Sequence, residues 1–336
     1  MFLKIFKRSL LIATILVLFL TSWFVLEFLS SPKNPPKTIL FEIEKGKGAK
    51  SLAQNLKDKD IIQKKWVFLL GYSVLYSARS IKAGEYAFSL PLPVKEILEI
   101  ITEGRVHLHA LTIPEGLTRL EIAEHLESLG FSERQAFLKA SASPDPISDL
   151  DPEAANLEGY LFPETYFFPK GVTVEKIVSS MVSQFRNTFS DEWKERAGQI
   201  DKSIREVIVL ASLIEKETSL PEERPLVSAV FHNRLQRRMK LDCDPTIIYA
   251  LKLQGKFKDR LRTKDLQLDS PYNTYLYGGL PPGPIANPGR DSIAAALFPA
   301  ETDYLYFVSK NDGSHCFSRT FREHQNAVNV YQKRKR

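Results

Sequence analysis

The first strong pattern along the chain is an unbroken apolar run, Ser9 to Leu26, built of Leu, Ile, Val, Phe, Ala and small hydroxyl residues. About 18 such residues cross a bilayer core, so the run predicts a transmembrane helix over 9–29, with 1–8 as a cytoplasmic tail. A cleaved secretory signal has a shorter apolar region, about 7 to 15 residues, closed by a small-x-small site. Here the run ends on Trp23-Phe24-Val25-Leu26-Glu27 instead. Lys4, Lys7 and Arg8 precede it, so the positive-inside rule keeps the N-terminus in the cytoplasm and sends the remainder outward across the cytoplasmic membrane. Ser31-Pro32-Lys33-Asn34-Pro35-Pro36 then stops any helix, which makes 30–37 an extended linker.

Beyond the linker, short alternating stretches give way to apolar positions at helical spacing. Phe41, Ile43 and Gly46 followed by Leu52, Ala53 and Leu56 are echoed by Leu111, Ile113 and Gly116 followed by Ile122, Ala123 and Leu126. Each half predicts a strand, a Gly turn and an amphipathic helix, and Thr118 with Glu121 forms a capping-box signature in the second. Between the halves, Lys65–Ala78 predicts a helix, Lys82–Phe88 a strand and Val94–Thr102 a short helix. Strand, helix, helix, strand over 38–104 is similar to a LysM-like glycan-binding module, an order that a plain α+β connector shares. Ser141 to Pro152 predicts a loop. Helices follow at Val174–Phe189, Ile204–Thr218 and Pro225–Met239. A hairpin from Tyr304–Val308 through Asp312-Gly313 to Cys316-Phe317 comes next, then a helix capped by Thr320 and Glu323. The fold class is α+β: an N-terminal transmembrane helix, a LysM-like subdomain over 38–104 and a larger α+β domain over 105–336.

With 43% apolar and 11% aromatic residues among 336, the chain has a globular composition. The net charge of +6 comes from its tips, where Lys4, Lys7, Arg8, Lys333, Arg334, Lys335 and Arg336 lie. The near-neutral body therefore carries no footprint of a nucleic-acid partner. Two cysteines, Cys243 and Cys316, exclude a disulfide-dense scaffold. The six histidines show no metal-ligand spacing, and no H-E-x-x-H, G-x-S-x-G or P-loop occurs. Neither a metal nor a cofactor is expected.

The segment Arg205 to Thr218 carries the most chemical information. On a helix, Ile204, Ile208, Ala211 and Glu215 share one stripe, so Glu215 continues an apolar face, whereas Glu217 lies about 200° further round and points away. A carboxyl held against apolar groups has its charged form disfavoured and stays protonated toward neutral pH, as a general acid must. An ion pair of Glu215 with Lys216 or Arg224 satisfies the same spacing. Elsewhere, Glu164 and Tyr166 set a carboxylate among aromatics that suit sugar stacking. Asn233 shares a helix face with Leu226, Ala229 and Val230 and needs a buried partner or a ligand. Asp244-Pro245-Thr246 is a helix start. Tyr272, Asn273 and Tyr275, with the Pro-Gly segment around Gly283, are candidates to line a groove.

These residues carry a resemblance. Ile113-Pro114-Glu115-Gly116, Leu157-Glu158-Gly159-Tyr160-Leu161-Phe162-Pro163-Glu164-Thr165-Tyr166, Ala211-Ser212-Leu213-Ile214-Glu215-Lys216-Glu217-Thr218, Phe231-His232-Asn233-Arg234-Leu235, Asp244-Pro245-Thr246, Ser270-Pro271-Tyr272-Asn273-Thr274-Tyr275, Gly279-Leu280-Pro281-Pro282-Gly283-Pro284-Ile285 and Tyr304-Leu305-Tyr306-Phe307-Val308 follow one another in the order found in the YceG-like family, the endolytic murein transglycosylases. The resemblance implies a membrane-anchored enzyme that cuts peptidoglycan glycan strands internally to leave 1,6-anhydro ends, works beside peptidoglycan polymerases (penicillin-binding proteins), and sets where polymerisation stops. It carries the family's catalytic glutamate onto Glu215. It implies Glu164, Tyr166, Asn233, Asp244, Thr246, Tyr272, Asn273, Tyr275 and Gly283 as substrate contacts. Leu241-Asp242-Cys243-Asp244 departs from the family's pattern, which has a Gln ahead of the Asp-Pro-Thr. A two-carboxylate hydrolase, with Glu164, Asp242 or Asp244 as second group, and a non-enzymatic glycan-binding assembly factor are the competing readings.

Overall fold

The structure, a computed structural model, describes residues 2–333; Met1 and most of the basic C-terminal tip, 334–336, lie outside the described residues. The chain divides into two compact units, the first reaching Ala110 and including Phe167–Gly171, the second formed by Leu111–Tyr166 and everything from Val172 onward.

The first unit opens with helix α1, Phe2–Leu29, which starts earlier than the apolar run because the Lys- and Arg-containing tail is itself a good helix former. Over Lys4–Leu29 it is long and apolar enough to cross a membrane, and none of its most apolar window is buried in protein. Strand β1, Lys37–Ile43, pairs antiparallel with β2, Gly84–Leu90, in a register running from Lys37↔Leu90 to Ile43↔Gly84. Helices α2, Ala49–Asp58, and α3, Lys65–Gly71, lie between the strands in sequence, and α4, Val94–Glu103, follows them. The strand, helix, helix, strand order matches expectation. The helix expected to run to Ala78 instead passes at Gly71 into a π-helical turn, Tyr72–Tyr76. Phe41, Tyr86, Phe88, Phe68, Ile97, Leu98 and Ile101 form the core, each worth about 1.5–3 kcal/mol when fully buried.

Strand β3, Leu108–Thr112, pairs with β4, Thr165–Pro169. The predicted echo is present: β1, Gly46 at φ +86° and α2 are repeated as β3, Gly116 at φ +75° and helix α5, Arg119–Ser128. The capping box of α5 is formed, with the Thr118 N–H donating to Glu121 at 2.8 Å. Helix α6, Arg134–Ala140, and a single 3₁₀ turn at Asp145–Ile147 precede α7, Val174–Thr188, and α8, Asp191–Gln199. The centre of the second unit is α9, Ile204–Glu217, started by a Ser203–Glu206 capping box. Around it come α10, Arg224–Gln236, α11, Asp244–Leu253, and α12, Arg290–Leu297. The hairpin is formed by β5, Tyr306–Ser309, and β6, His315–Ser318, and α13, Phe321–Val328, closes the unit.

Two features of this unit depart from the pattern reading. Every residue of α9 from Val207 to Ile214 is buried, so that stretch has no solvent face. The Pro-Gly segment expected to line a groove is instead interior: Pro281 and all residues from Gly283 to Gly289 are buried, and the Ile285 N–H donates to Ser212 Oγ of α9 at 3.1 Å.

Candidate active site

A helix whose middle, Val207 to Ile214, is buried all round places Glu215 and Glu217 at its C-terminal turn in two different packed environments. Glu215 turns toward the start of α12. Its Oε2 accepts the Gly289 N–H at 3.0 Å, and its Oε1 lies 3.7 Å from Arg224 Nη2. That guanidinium also reaches Glu115 at 3.5 Å and Asp291 at 3.3 Å. Glu215 is thus a strut between α9, α10 and α12, the ion pair with Arg224 that the spacing allowed.

Glu217 leaves the helix on the opposite side, toward the start of α11. It lines a cavity of about 510 Å³ with Arg234, Leu241, Asp242, Asp244, Tyr275, Tyr306, Phe307, Phe321 and His324. Desolvation raises its pKa from 4.5 to about 7, aided by Asp244, while the Cys243 thiol, His315 and Arg234 oppose the rise. The thiol donates to Glu217 Oε1 at 2.9 Å. Burial and the neighbouring carboxylate hold that thiol protonated by raising its own pKa. The departure at Cys243 therefore touches the carboxyl directly.

A raised pKa alone does not select a catalytic group. Glu158 is also pushed up to about 7 by burial. It accepts from the Arg119 N–H, Asn287 Nδ2 and Tyr249 Oη at 2.8, 3.0 and 3.2 Å, so it is consumed by a structural network. Glu217 differs in facing open space.

The other predicted positions sort by where their polar atoms go. Asp244 and Tyr275 join Glu217 in the cavity, with Tyr275 Oη donating to Asp244 Oδ1 at 2.7 Å. Asp242, at φ +48°, faces the same space and pairs with Arg234 at 3.0 Å. Glu164 is exposed and lines a separate cavity of about 700 Å³ with Glu115, Trp193 and Arg290. Thr246, expected as a contact, is fully buried and donates to the Cys243 carbonyl at 2.7 Å. Asn273 is likewise fully buried, its amide donating to the Leu266 and Leu268 carbonyls at 3.0 and 2.8 Å. Asn233 finds its partner inside the protein, strapping α10 to the Thr302 and Tyr304 carbonyls at 2.7 and 2.9 Å. Tyr166 is buried and donates to the Phe162 carbonyl at 2.6 Å. Tyr272 packs on Tyr249 with ring centroids 5.0 Å apart, and a Cβ on Gly283 would come within 3.2 Å of its hydroxyl. These five side chains and Gly283 build the scaffold.

The sequence reading missed Arg234, Tyr306, Phe321 and His324 as cavity residues. Arg234 Nε donates to the Leu305 carbonyl at 2.6 Å, and its guanidinium stacks over Tyr306 at 5.1 Å. His324 stacks on Tyr306 at 5.2 Å, and among the described residues its buried Nδ1 has no hydrogen-bond partner. The hairpin and α13 were predicted as elements, but no local signal ties them to α9. One group of described side chains has ligand atoms close enough to hold a metal ion, Glu85, His107 and His109, all within 4.8 Å. It lies in the first unit, where the strands bring Glu85 to 2.7 Å from His109 Nε2, a proximity that sequence spacing hides.

Comparison with known proteins shows the family of the chain. The YceG-like family model matches residues 41–330. An endolytic murein transglycosylase of Bacillus subtilis is 35% identical over 317 residues, covering 89% of this chain and 86% of the relative. A protein of the same name from Streptococcus pneumoniae is 29% identical, and the match spans 82% of this chain and 55% of that longer protein. A crystal structure of a YceG-like protein from Listeria monocytogenes superposes with a TM-score of 0.59 at 33% identity, covering 86% of this chain and 98% of that one. With a family model spanning most of its length and relatives of this similarity, the chain belongs to the YceG-like family.

Proposed function

We propose that this chain is a membrane-anchored endolytic lytic transglycosylase of peptidoglycan, with Glu217 in the roles of general acid and then general base. The observation that carries the assignment is a carboxyl kept neutral up to about pH 7 while facing an open cavity. Protonated Glu217 gives its proton to the glycosidic oxygen between the muramic and glucosamine residues, and the C1–O bond breaks. The resulting carboxylate takes the proton of the muramic C6 hydroxyl, whose oxygen bonds to C1, closing a 1,6-anhydro ring and restoring the acid. No water is consumed. Tyr275 and Phe321 supply ring faces for the sugars. The LysM-like unit over 38–104 orients the strand at the membrane face, next to the polymerase, where an internal cut ends elongation.

Asp242 and Asp244 line the same cavity and favour one competitor, a hydrolase with a second carboxylate as base or nucleophile. Both aspartates are already engaged, by Arg234 and by Tyr275.

The free enzyme must start protonated, so kcat/KM falls as pH rises through about 7, the pKa of Glu217. Cys243→Ala removes a donor that favours the carboxylate, so this limb moves to higher pH, and Cys243→Ser, which keeps a donor, returns it toward the original position. A pH–rate profile on purified peptidoglycan checks both. A limb unmoved by Cys243→Ala means that another group titrates.

A further inference from the structure

An extended linker over 30–37 leaves open whether the first unit touches the anchor helix. That unit packs back onto the last turns of α1. Phe28 is 4% exposed and joins the core with Phe68 and Leu98. A Cβ on Gly71 would approach the Phe28 ring to 2.5 Å, so α3 lies directly against the anchor helix. Trp66 sits 5.4 Å from Trp23 and 6.3 Å from Phe24, ring centroid to ring centroid. Lys64 pairs with Glu27 and lies over the Trp23 ring at 5.6 Å.

The segment Lys65–Tyr76 is apolar on both sides. Val67, Phe68, Gly71 and Tyr76 face the core. On the outer side Trp66, Leu70, Val74 and Leu75 are 39, 41, 65 and 57% exposed. Trp66, Leu70 and Val74 follow at i, i+4 and i+8, one continuous ridge, and the π-helical turn brings Leu75 alongside Val74. Among the described residues outside α1, this is a run of four exposed large apolar side chains within ten positions.

We propose that α3 and the π turn are a second membrane contact, seating the Trp66, Leu70, Val74 and Leu75 ridge in the outer headgroup region of the bilayer that α1 spans. The inference rests on α1 as a membrane anchor. The occupant is lipid because the ridge continues the anchor's own lipid-facing surface, and because the Trp23–Trp66 pair has the chemistry of the aromatic belt at a membrane–water boundary. A helix apolar all round is stable in place only when both faces leave water. The first unit is thereby fixed at the membrane surface rather than tethered above it.

The test uses the full chain in phosphatidylcholine vesicles with nitroxide-headgroup lipid as quencher and one tryptophan per variant. The reporters are Trp23 alone, Trp66 alone, Trp193 alone, and Val74→Trp in a tryptophan-free background. Quenching of the Trp23, Trp66 and Val74 reporters by about twofold or more, with Trp193 unaffected, is the expected result. Trp23 quenched but Val74→Trp unquenched leaves the anchor standing and overturns the second contact. No quenching at Trp23 overturns the anchor, and the contact with it. Circular dichroism of the Val74→Trp variant, and agreement with the Trp66 reporter, guard against a misfolded probe.

Discussion

Glu217→Gln lowers turnover of peptidoglycan by about 10² to 10⁴, because glutamine keeps the shape and can neither give nor take the proton. The same change stabilises the fold at high pH. The carboxyl's pKa is raised from 4.5 to about 7, so its contribution to stability is complete below about pH 4.5 and lost as pH rises to 7 and above. A neutral amide removes that loss, worth up to about 3 kcal/mol at 1.36 kcal/mol per pKa unit. Thermal unfolding of the two proteins therefore diverges between pH 5 and pH 8, with the variant higher at pH 8. Glu215→Gln has the opposite signature. It weakens the bridge to Arg224 and Gly289 and costs about 1–3 kcal/mol at both pH values, while turnover per folded molecule stays within about tenfold, below the usual range for removal of an acid–base group. Full loss of turnover in Glu215→Gln, with Glu217→Gln active, exchanges the two roles.

Gly159→Ala is the largest expected loss of stability. Gly159 holds φ +87°, and a Cβ there would lie 2.5 and 2.6 Å from Pro284 and 2.9 Å from Ile208 of α9. Neither neighbour yields cheaply. Pro284 is a rigid ring within the buried segment that ends at Gly289, and Ile208 is fully buried in the central helix. The left-handed backbone adds roughly 1 kcal/mol to an overpacking cost of about 1–3 kcal/mol. Denaturant unfolding of the variant should show a loss of about 2–4 kcal/mol, or a failure to fold. Because the neighbouring Glu158 network ties this turn to Asn287 and Tyr249, the damage spreads to the segment that holds Glu215 rather than directly to the Glu217 cavity.

The elements were legible wherever one face of a segment is wet. The capping boxes at Thr118 and Thr320, the Asp312-Gly313 hairpin and helix α7 follow from local pattern, and each is present in the structure. The surroundings of Glu215 and Glu217 were not legible, because the stripe argument supposes a solvent side, and Val207 to Ile214 have none. Pointing away from one apolar face placed Glu217 on another packed face instead of in water. Thr246, Asn273 and Asn233, expected as substrate contacts, each donate to backbone carbonyls inside the protein, partners that long-range packing supplies and local spacing does not reveal. His324 and Tyr306 depend on long-range packing of the hairpin and α13, which no local spacing encodes.

The central claim is that one carboxyl acts alone and the sugar's own hydroxyl captures C1. Intramolecular attack from a well-held position reaches effective molarities of about 10⁵ M or more, far above the roughly 55 M of water, so placement decides the product. The direct measurement is digestion of peptidoglycan by the purified protein in ¹⁸O-labelled water, with fragments read by mass spectrometry. Anhydro-ended fragments free of label are predicted. Reducing ends carrying ¹⁸O would contradict the account and turn Asp242 or Asp244 into the second carboxylate of a hydrolase.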